Sequence, residues 1–330
     1  MISLSFTVDK AFFEGDTCRL DVYAAKTQNV SRSRLKNGFK KLTVNGKEVR
    51  LAYKLSGGEK VELFYEDPVA EDIVPENIPL DIIYEDNSVT VVNKRQGMVT
   101  HPACGNWSGT LVNALLYHWK RDSICVESNH KPDVLRPGIV HRLDKDTSGV
   151  IITARTKETE DFLQKQFQER KTKKIYIAIV KGKPPYRTGD IKTQIVRDPK
   201  NRKRFTVSDD PSVGKFAWTK YCCFGTYGDY SLMKLCLKTG RTHQIRVHLK
   251  SIGCPILGDP VYSRKDSVFK DATLMLHARQ LTIMLPDKKK PSVFEAPIPV
   301  RFKKVIRFLH EHSAKTLPPE NPMKEKNAAL

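Results

Sequence analysis

Residues 138–149 read Gly-Ile-Val-His-Arg-Leu-Asp-Lys-Asp-Thr-Ser-Gly, a stretch in which charged residues interrupt an apolar pattern. The apolar residues lie between 139 and 143, and the pattern resumes at 150–152. Such an interruption predicts a loop that projects from between two buried strands. Asp144 is therefore the candidate reactive group. The alternative is a solvated turn over 144–149, because Asp, Ser and Gly are common turn residues.

The chain carries a large excess of positive charge. Its 330 residues include 57 Lys and Arg against 37 Asp and Glu, which gives a formal net charge of +20. This charge favours a polyanionic partner, either RNA or an anionic membrane. The membrane alternative is weak, because no apolar run approaches the ~18 residues of a spanning helix and residues 1–15 lack the basic start of a secretory signal. At roughly 100 to 200 residues per domain, the length favours two domains.

The seven cysteines are odd in number and include no Cys-x-x-Cys spacing. This pattern favours reduced thiols and a cytoplasmic location over a disulfide framework. Cys222 and Cys223, neighbours in a strand-like run, are predicted to be packing residues on opposite faces. His243 and His248 lie on an alternating apolar pattern that would not bring their rings to one face, so we expect no metal site there.

An acidic, proline-rich segment divides the chain. Residues 67–80 hold three Pro and four acidic residues and no basic residue. Because prolines stiffen the chain and negative charge repels RNA, we predict a linker between RNA-facing domains at 1–66 and 81–312. Residues 313–330 have few large apolar side chains and are predicted to be a disordered tail.

The segment before the linker is strongly basic. Between residues 32 and 54 the single acid Glu48 stands among Arg32, Arg34, Lys36, Lys40, Lys41, Lys47, Arg50 and Lys54. We interpret this cluster as a phosphate-binding surface, with a solvated basic face as the alternative. Residues 31–35 followed by 43–47 resemble the small α-L RNA-binding module, in which two short helices lead into a hairpin with Asn-Gly at its turn. Asn37-Gly38 departs from that module, since it shortens the second helix.

Short strand-like runs dominate the segment after the linker. Residues 82–84 and 89–92 flank Asp86-Asn87-Ser88, which is a hairpin signal, and Thr156 is a candidate N-cap for the helix that follows it. Further strands are predicted at 175–180, 216–224, 231–238, 243–249 and 281–285. Many short strands and few helices predict an α+β domain with a mixed, largely antiparallel sheet and flanking helices.

The stretch at 138–149 closely resembles the signature of the RluA-type pseudouridine synthases, which isomerise uridine within RNA. Other blocks resemble the same family and follow its order: Asn93-Lys94, His101-Pro102, Lys174-Ile175-Tyr176, the run from Gly240 to His248, Gly258-Asp259-Pro260 and Leu276-His277-Ala278. Together they cover residues 81–300. In one departure, Arg95 stands where the family usually has proline, which adds charge and loosens the backbone.

The resemblance implies three catalytic residues. Asp144 would be the nucleophile, a role that requires a carboxylate to stay ionised in a site dry enough to hold uracil. Arg246 would pair with it through the planar fork of its guanidinium, which lysine lacks. Tyr176 would stack on the target base and exchange a proton. The alternatives are an ordinary strand-surface arginine and a packing tyrosine.

A uridine stacked in RNA cannot be reached, so the resemblance also implies that the target is flipped out. Arg142 is the expected filler of the vacated space, because a guanidinium can both stack and bind phosphate. His141 is a candidate second RNA contact nearby, although a structural histidine is the favoured interpretation. Asp146, Thr147 and Ser148 are interpreted as loop structure.

The isomerisation adds and removes no atoms, so we expect no metal, ATP or redox cofactor, and no phosphate-cradling glycine loop is present in the sequence. We expect a monomer that acts on ribosomal RNA of the large subunit, since the N-terminal module suits a large structured target. Transfer RNA as substrate and a non-catalytic role in RNA binding or ribosome assembly are the alternatives. A hydrolase with Asp144 and Asp146 as paired acids fits less well. The sequence does not distinguish attack at sugar C1′ from attack at uracil C6.

Overall fold

A computed structural model describes residues 2–322 apart from 14, 29, 31, 33, 34, 36, 37, 66–72, 103–105, 121–137, 202 and 203. The described residues form two compact units, one up to residue 65 and one from residue 73 onward. No helix in the described part of the chain is long and apolar enough to cross a membrane.

The first unit contains a four-stranded antiparallel sheet with the order β1-β6-β3-β4. Its strands are β1 (Ile2–Thr7), β3 (Phe39–Val44), β4 (Lys47–Glu48) and β6 (Lys60–Tyr65). A two-stranded pair, β2 (Cys18–Arg19) with β5 (Lys54–Leu55), accompanies helix α1 (Leu20–Thr27) and a 3₁₀ turn at Lys10–Phe12.

The predicted hairpin is present in this unit. Asn45 and Gly46 join β3 to β4 with φ angles of 50° and 76°, the left-handed conformations that Asn-Gly adopts in tight hairpin turns. The second helix expected for an α-L module falls largely on residues outside the described part of the chain.

The second unit is built on an eleven-stranded mixed sheet. Its strands are β7 (Ile82–Glu85), β8 (Val89–Lys94), β9 (Ser148–Ala154), β10 (Lys173–Lys181), β11 (Thr188–Arg197), β12 (Phe205–Ser208), β13 (Lys215–Tyr227), β14 (Tyr230–Leu237), β15 (Leu276–Ile283), β16 (Ser292–Glu295) and β17 (Lys315–Thr316). The main order is β12-β11-β13-β14-β10-β15-β9-β8-β7, with β16 on β15 and β17 on β13. β9 and β15 are parallel, and the other pairs recorded among the described strands are antiparallel. The predicted α+β class with a largely antiparallel sheet is confirmed.

Four helices accompany this sheet in the described residues: α2 (Leu111–His118), α3 (Lys157–Gln168), α4 (Gln244–Ser251) and α5 (Val300–His312). Thr156 caps α3 as predicted, because its side chain accepts a hydrogen bond from the backbone N–H of Thr159 at 3.2 Å. Leu163 of α3 is buried against an apolar cluster from β8, β9 and β15, and β9 itself is buried along its whole length.

Two strand predictions are wrong. Residues 244–249 lie in helix α4 and are all buried, and His243 is the N-cap of this helix. In a segment whose residues are all buried, the spacing of apolar residues can fit a strand as well as a helix. The alternation at Ile245, Val247 and Leu249 therefore does not distinguish the two. Before the loop that carries Asp144, the pattern at 139–143 yields only an isolated bridge from Ile139 to Thr153.

The predicted tail disorder is also wrong for its first part. β17 pairs with β13, and the carbonyl of Pro319 accepts a hydrogen bond from the backbone N–H of Arg187 at 2.8 Å. Backbone hydrogen bonds to the sheet hold this segment, so its low content of large apolar side chains did not reveal the order. Residues 323–330 lie outside the described part.

Candidate active site

Asp144 lies in the loop that enters β9, and the backbone of this loop is anchored on both sides of the carboxylate. The Thr100 hydroxyl donates to the carbonyl of Leu143 at 2.9 Å, and the Thr147 N–H donates to the carbonyl of Asp144 at 3.1 Å. Lys94 Nζ donates to the carbonyl of Lys145 at 3.1 Å. The side chain of Asp144 is therefore presented from a fixed backbone and keeps 22% of its surface exposed.

Lys94 has no exposed surface, and its ammonium donates to three carbonyls, those of Arg95, Met98 and Lys145. Burial lowers the pKa of Lys94 to about 7, while the carboxylates of Asp144 and Asp146 act to raise it. Three acceptors match the three donors of a charged ammonium. Lys94 thus ties the end of β8 to the loop that carries Asp144.

Arg246 projects from α4 toward two carboxylates. Its Nη1 lies 3.3 Å from Oδ2 of Asp144, so the structure brings the predicted pair together. The two-point fork, however, is made with Asp259, through Nε to Oδ2 and Nη2 to Oδ1 at 2.8 Å each. The prediction that the fork holds Asp144 is therefore wrong, because Asp259 takes both of those N–H groups.

Asp259 has a fully buried side chain and is saturated with donors. Besides Arg246, the backbone N–H groups of Val261 and Tyr262 donate to its Oδ1 at 2.9 and 3.0 Å. Burial acts to raise the pKa of Asp259, but Arg246 and these N–H groups hold it below its ordinary value. Asp259 therefore serves as a permanent anion that fixes the guanidinium of Arg246 beside Asp144.

Tyr176 lies in β10 and is 8% exposed. Burial and the charge of Asp144 raise the pKa of its hydroxyl, so Tyr176 is a neutral phenol at physiological pH. A protonated phenol can donate a hydrogen bond or a proton, and its ring offers a face to a planar base.

The three predicted catalytic side chains meet in one cleft of about 410 Å³. Asp144, Tyr176, His243 and Arg246 line it, together with the apolar side chains of Leu237 and Leu276. Five cations also line it, and none of them is buried: Arg142, Arg170, Lys174, Lys238 and Arg241. A carboxylate and an arginine beside apolar walls and a basic border suit a planar, neutral group carried on a polyanion.

The two residues ahead of Leu143 differ in their surroundings. Arg142 is exposed and lines the cleft. The His141 ring is stacked on Phe167 at 4.6 Å, and its Nε2 accepts a hydrogen bond from the backbone N–H of Ile152 at 3.0 Å. Burial lowers the pKa of His141 to about 3, with a smaller contribution from Lys174, so the ring is neutral and engaged inside the protein.

The basic cluster of the first unit is described in part. Lys40, Lys41 and Lys47 are exposed on β3 and β4. The Arg32 guanidinium pairs with Asp21 at 2.7 Å, which offsets part of its charge, although its side chain is 56% exposed. Arg34 and Lys36 lie outside the described residues.

Several residues that line or support the site were not identified from the sequence as functional. Asp259, Lys94 and Tyr262 were given no role, and His243 was considered only as a metal ligand. Asp259 and Lys94 lie inside sequence blocks that resemble the family, and this resemblance could have pointed to them. The blocks do not reveal, however, which side chains Asp259 and Lys94 contact. In the described residues no three His, Cys, Asp or Glu side chains are grouped so that they could hold a metal ion.

Comparison with known proteins gives concordant results. A sequence model of the family described as RNA pseudouridylate synthase matches residues 88–251. An uncharacterized RNA pseudouridine synthase of Aquifex aeolicus is 45% identical over 91% of this chain and 96% of its own length. Ribosomal large subunit pseudouridine synthase D of Borreliella burgdorferi is 43% identical over 86% of this chain and 87% of its own. The structure of human RNA Pseudouridylate Synthase Domain Containing 1 has the same fold, with a TM-score of 0.55 and 23% identity over 77% of this chain and 95% of that one.

Proposed function

This chain belongs to the RNA pseudouridine synthases, and we propose that it isomerises uridines of large-subunit ribosomal RNA with Asp144 as the nucleophile. One observation carries the assignment of Asp144. The carboxylate of Asp144 lines the cleft with Oδ2 at 3.3 Å from Nη1 of Arg246, and 22% of its side chain remains exposed. Because the chain belongs to a family of isomerases, isomerisation is favoured over the hydrolase and the non-catalytic alternatives.

Asp259 is unsuited to the nucleophilic role although it also contacts Arg246. Its side chain has no exposed surface, and its oxygens accept hydrogen bonds from Arg246, Val261 and Tyr262. A nucleophile needs a lone pair that can reach the substrate. Asp146 does not line the cleft. Asp144 lines the cleft and keeps part of its side chain exposed, and the fixed guanidinium of Arg246 lies beside it.

The reaction breaks the bond from sugar C1′ to uracil N1, turns the retained base and joins C1′ to C5. The base gains a proton at N1 and loses the hydrogen of C5, so nothing is consumed overall. Asp144 supplies the nucleophile at C1′ or at C6, and the cleft walls retain the detached base. We propose that the neutral hydroxyl of Tyr176 moves one proton and that its ring stacks on the base.

A base enters this cleft only after it leaves the RNA stack, so the proposal includes base flipping. Arg142 is exposed at the cleft two residues before Asp144. We propose that its guanidinium stacks in the vacated position or binds a neighbouring phosphate. His141 also lines the cleft, and its ring is engaged with Phe167 and with the backbone of Ile152.

Ribosomal RNA is favoured over transfer RNA on three grounds. The relative from Borreliella burgdorferi is named a ribosomal large subunit enzyme. The net charge of +20 suits a large polyanion. The first unit presents exposed lysines on a hairpin, and we propose that it is an α-L-type RNA-binding domain. The predicted linker at 67–80 is wrong for residues 73–80, because these belong to the second unit, where Ile73 is buried and the backbone of Glu76 bonds to Asn113.

Tritium release tests the target. Each turnover removes the hydrogen of uracil C5, so RNA tritiated at that position reports isomerisation directly. We expect the purified protein to release tritium from large-subunit ribosomal RNA and none from transfer RNA above a blank. Release from transfer RNA alone would reassign the substrate.

Tyr176→Phe and Tyr176→Leu separate the roles of the hydroxyl and the ring. If the hydroxyl moves a proton in the slow step, we expect Phe to lower the single-turnover rate by about 10² to 10⁴ with RNA affinity retained. Leu removes the ring as well and should also weaken binding, since stacking is worth about 1 to 3 kcal/mol per base. Wild-type rates in both variants would make Tyr176 a packing residue.

The basic hairpin of the first unit is tested by the triple variant Lys40→Gln, Lys41→Gln and Lys47→Gln. We expect weaker binding to ribosomal RNA and a salt dependence whose slope is smaller by about 2, because each phosphate contact contributes about 0.7 to 0.9. The matched control replaces the exposed Lys288, Lys289 and Lys290 of the second unit. Equal effects in the two triples would remove any special role of the hairpin.

A further inference from the structure

His243 precedes the first turn of α4 in a strained backbone conformation. Its φ of 54° and ψ of 17° lie in the left-handed region, which costs energy for any residue other than glycine. Strain of this kind persists where the surroundings fix it, and it is concentrated at functional sites. Here it places an imidazole on the wall of the cleft beside Asp144.

The ring of His243 is fixed from two sides. Phe205 and Tyr262 contact it edge to face, with ring centroids at 5.7 and 5.6 Å. The Nδ1 atom lies 2.8 Å from the hydroxyl of Tyr262. Tyr262 is itself held by the guanidinium of Arg246, which lies 5.0 Å above its ring.

The hydrogen bonds of Tyr262 determine the tautomer of His243. The backbone N–H of Phe205 donates to the Tyr262 oxygen at 2.9 Å, so this contact does not use the hydroxyl proton. Among the described residues, Nδ1 of His243 is the acceptor recorded for that proton. A buried hydroxyl without an acceptor is costly, so Tyr262 donates to Nδ1 and the ring carries its proton on Nε2.

The Nε2–H group faces the nucleophile. Nε2 lies 3.9 Å from Oδ2 of Asp144, the same oxygen that Arg246 approaches at 3.3 Å. Within the described part of the chain, no hydrogen bond to Oδ1 is recorded. Hydrogen bonds of active sites are often long in the free protein and shorten in the complex, and a movement of about 1 Å would close this one.

We propose that His243 is a positioning residue that, together with Arg246, holds Oδ2 of Asp144 and leaves Oδ1 to attack the substrate. The inference rests on the proposed role of Asp144. A neutral donor orients the carboxylate of Asp144 without adding a second full positive charge beside it. Such a charge would weaken Asp144 as a nucleophile. Burial lowers the pKa of His243, Asp144 opposes this shift, and the ring is neutral at pH 7.

Two substitutions separate this role from a structural one. In His243→Gln the amide nitrogen can reach the position of Nε2 and face Asp144. In His243→Asn the amide reaches only the position of Nδ1, although asparagine tolerates the left-handed backbone better. We expect Asn to lower the single-turnover rate by about tenfold or more with RNA affinity retained, and Gln to keep most of the rate.

A purely structural role predicts the reverse order, because asparagine suits the backbone better than glutamine. Thermal denaturation of both variants establishes that they fold. Wild-type turnover in His243→Asn, or equal losses in the two folded variants, would overturn the inference. A wrong nucleophile would be recognised separately, because Asp144→Asn would then keep its activity. The His243 inference is tested by comparing the two His243 variants with wild type.

The pH profile gives a second readout. Tyr262→Phe removes a donor to the neutral ring, so the pKa of His243 should rise and the loss of activity on acidification should begin at higher pH. The charged groups that act on this ring are Arg142, Asp144, Arg246 and Asp259, and Tyr262→Phe leaves all four in place. An acid limb that does not move in a folded Tyr262→Phe variant would contradict the assigned tautomer.

Discussion

Replacing Asp144 by asparagine is expected to abolish pseudouridine formation while the affinity for RNA stays within about threefold of wild type. The amide keeps the shape of the side chain but loses the nucleophilic oxygen, and removal of a nucleophile costs about 10⁴-fold or more in rate. Single-turnover assays with saturating enzyme, read as pseudouridine per RNA, measure the rate. Fluorescence titration of the same RNA measures the affinity.

The matched control for this variant is Asp146→Asn. It removes a carboxylate two residues away in the same loop, and this carboxylate does not line the cleft. We expect it to keep most of the activity. Turnover by Asp144→Asn, with wild-type contamination excluded, or an equal loss in Asp146→Asn, would contradict the assignment of the nucleophile.

Arg246→Lys is expected to lower turnover by about 10²-fold and to change RNA affinity little. The ammonium keeps the positive charge but cannot bond both oxygens of Asp259 and still reach Asp144. One or more acceptors in a buried site then lose their donor, so we also expect the free energy of unfolding to fall by about 1 to 3 kcal/mol. Single-turnover kinetics, RNA titration and denaturant unfolding measure the three quantities.

Arg241→Lys is the control for the arginine. Arg241 also lines the cleft, but its Nε donates to the carbonyl of Phe216 and it contacts neither Asp144 nor Asp259. We expect it to affect RNA binding at least as much as turnover. Parallel losses of binding and turnover in Arg246→Lys would instead identify Arg246 as a phosphate contact.

Local chemistry made part of this structure predictable. Thr156 was recognised as an N-cap because a hydroxyl followed by acids satisfies the first N–H groups of a helix. Asn45-Gly46 indicated its hairpin because these two residues accept left-handed backbone angles. The interruption at Asp144 marked a loop next to a buried strand, and β9 begins at Ser148.

Other parts depend on contacts that a linear pattern does not encode. Residues 244–249 of helix α4 are all buried, so their apolar spacing fits a strand equally well. The fork of Arg246 goes to Asp259 rather than Asp144 because the chain returns after α4 and places a second carboxylate beside the guanidinium. The short strand β17 is held by backbone hydrogen bonds, which leave no trace in side-chain composition.

The most direct test of the central claim is a pseudouridine map of ribosomal RNA from three strains: wild type, a strain without the gene, and a strain in which the gene encodes Asp144→Asn at normal protein levels. We predict that the same large-subunit positions lose pseudouridine in the second and third strains and that all other positions are unchanged. Pseudouridine retained at those positions in the Asp144→Asn strain would contradict the claim.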